Sequence, residues 1–148
     1  MRYRHAVFSP RLVASRRTRL LLAALAWTLV GAGLLTAGTV WLSSARPALE
    51  AAGLAAAAAL GWMKGRLILA PRAAANARRI EASAERASVF GFFAPSAWGL
   101  VLVMMASGAL LRRSALPRPW LGALYAAIGV ALLSASGAAW RHWRQQTS

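Results

Sequence analysis

Leu20 to Leu42 is a run of 23 residues without one charged side chain. At about 1.5 Å of rise per residue, a helix of that length exceeds the roughly 30 Å hydrocarbon core of a bilayer. Two more uncharged runs meet the same requirement: Phe90 to Leu111, with 22 residues, and Trp120 to Trp140, with 21. A further run opens after Arg46-Pro47 and extends from Ala48 to Met63, 16 residues that fall slightly short of a crossing. Lys64 and Arg66 can snorkel to head-group level and let this helix extend to about Leu69. Its centre, Gly53 to Leu60, is mostly alanine and predicts a helix surrounded by neighbours rather than lipid. Pro95 falls in the first turns of the third run, where a missing N–H costs least. Pro117 and Pro119 break the chain just ahead of the last run.

These runs predict an all-α membrane protein, a four-helix transmembrane bundle forming a single domain of 148 residues. Hydrophobic residues make up 59% of the chain and charged residues only 14%. A soluble domain this small cannot enclose that much apolar surface. Tryptophan supports the same parsing, because indole favours the membrane interface. Trp41, Trp62, Trp98, Trp120, Trp140 and Trp143 fall near the ends of runs, and only Trp27 lies well inside one.

The 18 basic residues face only 3 acidic ones. Their position between apolar runs reads as membrane orientation rather than nucleic-acid binding. Four spans put residues 1–19, the middle loop and residues 141–148 on one side, with fourteen Lys and Arg. The other side receives Arg46, Arg112, Arg113 and Arg118. The positive-inside rule therefore predicts both termini in the cytoplasm, with the cluster Arg112, Arg113, Arg118 as a local exception. Heavy use of Ala, Gly and Arg beside a single Lys points to a GC-rich bacterial genome, and hence to the inner membrane.

The middle loop, residues 71–88, reads as a short basic cytoplasmic helix. Ala73, Ala77, Ile80, Ala84 and Ala87 share one face, and Arg72, Asn76, Arg79, Ser83 and Arg86 form the adjacent stripe. Glu81 and Glu85 offer local pairing with Arg78. Docking on the bundle, contact with an anionic leaflet, capture of a partner and simple extension of the second helix all fit this pattern. Arg72, Arg79 and Arg86, with Lys64 and Arg66, are the candidate lipid or partner contacts.

Small residues recur at close-packing intervals: Gly33 with Ala37, Gly61 with Gly65, and Gly122 with Ala126 and Gly129. Such faces let helix backbones approach, within one bundle or between copies. Glu50 is the acid nearest a membrane segment. Three residues past Pro47, it favours the helix start through the dipole, and the alternative role is a coupling carboxylate for transport. Ser15-Arg16-Arg17 resembles a twin-arginine signal, but the apolar run behind it is too long for a signal core. The absence of Cys excludes disulfides, thiol nucleophiles and Cys-based metal sites. His5 and His142, with no Asp in the chain, build no familiar triad or zinc site. Met104-Met105 reads as span filling. No cofactor or metal is expected.

Three stretches, Lys64 to Arg79, Gly108 to Arg113 and Leu124 to Ser136, resemble those of small four-span inner-membrane proteins of bacteria. The resemblance implies a membrane bundle and no activity, and it carries over no functional residue. The function expected is non-enzymatic: a membrane interaction protein or accessory subunit whose partners are anionic head groups, a second copy or a larger membrane complex. The alternative is a small homo-oligomeric transporter or channel. The first span holds no Glu of the kind small multidrug transporters rely on.

Overall fold

The computed structural model describes residues 13–83, 86–88 and 95–146. The fold is helical apart from one small ribbon. Helix α1 spans Arg16–Leu42 and starts at Ser15, whose Oγ accepts the Thr18 N–H at 3.2 Å. At its far end, the hydroxyls of Ser43 and Ser44 donate to the carbonyls of Val40 and Trp41 and help to end the helix. Helix α2, Pro47–Lys64, opens with proline at a position that needs no N–H partner. A π-helical turn, Gly65–Leu69, follows, and then α3, Ala70–Glu81. Helix α4 is Pro95–Arg113 and α5 is Arg118–Gln145. Strands β1, Val13–Ser15, and β2, Arg86–Ser88, pair antiparallel with Ala14 opposite Ala87.

Helices α2 and α3 form one rod of 35 residues, Pro47–Glu81. Of the readings open for the middle loop, the structure has the extension of the second helix, with no break between them. Pro71 cannot donate to residue 67, and its ring would press on that carbonyl in a regular α-helix. The wider π turn, with the Ala70 N–H bonded to Gly65 O, relieves the clash without ending the helix. The rod stops at Glu81, short of the expected 88. Ser83 Oγ donates to Ile80 O at 2.6 Å, and the Ser83 N–H turns back to the same carbonyl at 3.2 Å. Arg86 therefore leaves the helical stripe and faces Ser15 across the ribbon. Ala84, Glu85, the basic residues 1–12 and the start of the third apolar run, 90–94, lie outside the described residues. Helix α5 also runs past the expected end at 140.

Among the described residues, three helices are long and apolar enough to cross a membrane: Arg16–Leu42, Pro47–Glu81 and Arg118–Gln145. Helix α5 is the hub. Over its most apolar stretch 56% is buried, against 22% for α1 and 17% for the α2–α3 rod. It runs antiparallel to α1 with two glycine pairs seven residues apart on each helix. A Cβ on Gly38 would lie 2.7 Å from Gly122 O, and one on Gly129 would lie 2.8 Å from Gly31 O. It runs parallel to α2, where a Cβ on Gly61 would meet Ala127 O at 2.4 Å and one on Gly65 would meet Ala131 O at 2.6 Å. Leu42, Ala57 and Ala126 close a small core beside these contacts.

A methyl at Gly38 would also lie 2.4 Å from Ala126 N. All its nearest neighbours are backbone atoms, so the helices themselves must separate. Overpacking of this kind costs about 1–3 kcal/mol, against a helix-propensity gain of at most about 1 kcal/mol. Gly38→Ala is expected to lower the unfolding temperature in detergent. Gly33→Ala, with nothing within 4 Å of the added atom, is expected to leave that temperature unchanged or slightly raised.

Candidate functional site

The first turn of α1, the end of α3 and the last turns of α5 converge at one end of the bundle. Ile80, fully buried, packs with Leu20, Ala23 and Ala77, and Trp143 closes the cluster. This apolar floor fixes the polar groups around it. Arg16 and Arg19 lie three residues apart and so share one helix face. Arg16 Nη2 donates to Ser83 O at 3.2 Å, and Arg19 Nη1 donates to Ser83 Oγ at 2.9 Å. The two arginines thereby hold the turn that ends α3. Arg19, just ahead of the apolar run, is only 2% exposed. It stays a cation at any physiological pH.

Aromatic side chains form the other wall. Trp140 Nε1 donates to Thr28 Oγ1 at 3.0 Å, which ties α5 to α1. Trp140 and Trp143 meet edge to face, 5.5 Å between centroids. The Arg17 guanidinium lies 5.6 Å from the Trp143 ring centroid. His142 Nδ1 and Glu81 Oε1 are 3.0 Å apart. Glu81 therefore joins α3 to α5, where the sequence suggested pairing with Arg78. It is the only acid of this end among the described residues, while Arg17, Arg78, Arg79, Arg141 and Arg144 are exposed there and Arg72 is exposed near the start of α3. A basic rim around a tryptophan floor suits an anionic surface at the membrane interface. Among the described residues, no three His, Cys, Asp or Glu side chains gather.

Of the residues singled out in the sequence, Arg79 belongs to this rim, and the others are spread over the molecule. Arg79 Nη2 donates to Asn76 Oδ1 at 3.2 Å on α3. Arg72 and Lys64 are exposed, and the Arg66 guanidinium lies 4.9 Å from the Trp62 ring centroid. The Arg86 side chain lies outside the described residues. Gly61, Gly65, Gly122, Ala126 and Gly129 are buried in the contacts with α5. Gly33 is exposed on α1 and Ala37 half-buried. Glu50 sits half-buried in the first turn of α2.

Sequence reasoning treated residues 1–19 as a tail and missed the anchoring role of Arg16 and Arg19. The signal was their shared helical face beside Ser15, a residue fit to cap a helix. It also missed Gly31 and Gly38, whose seven-residue interval matches that of Gly122 and Gly129. No family model, no curated protein and no solved structure matches this chain.

Arg19→Gln is expected to destabilise the fold by about 1.5–3 kcal/mol, the worth of a hydrogen bond made by a charged group. Arg17→Gln removes an exposed contact and is expected to cost no more than about 1 kcal/mol. Chemical unfolding of both variants in detergent, followed by tryptophan fluorescence, measures the difference.

Proposed function

We propose that this chain is a small non-enzymatic protein of the bacterial inner membrane. It crosses the bilayer four times with both ends in the cytoplasm, and its basic end engages anionic lipid head groups. The observation that carries this reading is the convergence of exposed arginines around Trp140 and Trp143 with Glu81 already taken by His142. A cytoplasmic leaflet rich in anionic lipid attracts such a surface by about 1 kcal/mol per basic side chain.

The apolar surface supports the membrane setting. Leu29, Leu67 and Trp120 are 67%, 71% and 74% exposed, which is costly in water and favourable in lipid. Helix α4 supplies the fourth crossing, with Leu102, Met105 and Leu110 facing outward. The glycines Gly31, Gly38, Gly61, Gly65, Gly122 and Gly129 are occupied inside the bundle, and the charged end is the interaction surface this reading rests on. In a larger membrane complex the same rim would seat an acidic partner segment and make the chain an accessory subunit.

The test is lipid retention, read by native mass spectrometry from nanodiscs of phosphatidylglycerol and phosphatidylcholine. Wild type is expected to retain phosphatidylglycerol selectively. R17Q/R72Q/R79Q removes three charges, and its affinity is expected to fall by roughly hundredfold. Equal retention by wild type and variant would sink the lipid reading, and a stoichiometric second protein in the extract would point to the subunit role.

A further inference from the structure

The opposite end of the bundle carries a second basic feature that orientation does not account for. Arg112 stands in the last turn of α4 and Arg118 in the first turn of α5. With Trp41 and Leu121 they line a cavity of about 180 Å³, several times the roughly 30 Å³ occupied by one water molecule. The positive-inside rule disfavours both charges on this side.

Their local settings differ. Arg112 is favoured by the negative end of the α4 dipole. Arg118 opposes the dipole of its own helix: it sits at the positive end of α5, whose first turn has no side-chain cap. The Arg118 guanidinium lies 5.9 Å from the Trp41 ring centroid. That contact orients the group but brings no full negative charge. Among the described residues, the one ion pair is His142 with Glu81, at the far end of the molecule.

The cavity wall is tied together. Trp41 packs on Tyr125 at 4.9 Å between ring centroids, and Tyr125 Oη donates to Gly108 O at 3.3 Å. This chain of contacts links α1, α5 and α4 beside the two arginines. Trp41 closes α1 and Trp120 opens α5, which places the cavity at the interfacial level where phosphate groups lie.

We propose that this cavity binds a phosphate-bearing anion, held by the guanidinium groups of Arg112 and Arg118. The planar guanidinium fork matches phosphate oxygens, while the backbone of the helix start adds little, because Pro119 has no N–H and the N–H groups of Trp120 and Leu121 bond Pro117 O. A bound anion offsets the cost of Arg118 at the helix start. A lipid phosphodiester and free phosphate present the same chemistry here, and the test separates them.

The full chain is purified in detergent in the R17Q/R72Q/R79Q background, which weakens the opposite end, and every variant is compared with that parent. Binding is measured calorimetrically with two probes, inorganic phosphate and mixed micelles containing phosphatidylglycerol. R112Q and R118Q are each expected to weaken binding by roughly tenfold, the equivalent of one charge-assisted hydrogen bond. R118K keeps the charge but loses the fork, and it is expected to fall between wild type and R118Q. Saturation by micelles alone assigns a lipid head group, and saturation by inorganic phosphate assigns a free anion. Both arginines are exposed, so the single variants are expected to fold, and a circular-dichroism melt without ligand verifies it. Equal binding by the parent, R112Q and R118Q, or no binding of either probe, would overturn the proposal.

Discussion

The bundle rests on the direct approach of the α1 and α5 backbones. Between lipid-soluble helices there is no hydrophobic gain from association, since lipid tails are as apolar as leucine. What remains is close packing, and glycine allows the closest. Gly31 with Gly129 and Gly38 with Gly122 bring carbonyls of one helix to within about a methyl's reach of the other. Gly61 and Gly65 then fit the α2–α3 rod against a second face of α5 at Ala127 and Ala131. Because α5 is shared by both contacts, α1 and the rod need little direct contact with each other.

Both polar ends depend on that axis. Trp140 reaches Thr28, and the Ile80 cluster forms, only when α1 and α5 are in this register. Arg19 is buried because three helix ends close around it, and it holds Ser83 in return. At the other end, Trp41 of α1 meets both Tyr125 and Arg118 of α5. The two ends share this scaffold and differ in composition. One combines many exposed arginines with tryptophan and an internal ion pair, while the other gathers two arginines around a small cavity.

Much of the helical layout was legible in the sequence. The uncharged runs Leu20–Leu42 and Trp120–Trp140 mark α1 and α5, and Gly61–Gly65 and Gly122–Ala126–Gly129 mark the faces that pack. Spacing alone did not tell which partner each face would meet. Gly33 and Ala37 have the right interval, yet Gly33 points outward, while the Gly31–Gly38 pair makes the contact. Continuity through Pro71 was one of several readings the sequence left open, and the π turn that permits it has no local signature. The ribbon β1–β2 has no local signature. Three residues on each side pair only because the ends of α1 and α3 lie side by side, and a two-stranded ribbon is marginal alone.

The glycine register also limits how the protein can move. If α5 slid along α1 by one turn, about 5.4 Å, the leucines and Tyr125 flanking the glycines would be driven into backbone. Glycine would meet glycine again only after seven residues, about 10.5 Å, and then at one pair instead of two. The bundle is in effect a keyed shaft with no axial stroke. Events at one end of the bundle can reach the other as tilt or rotation of helices that keep this register.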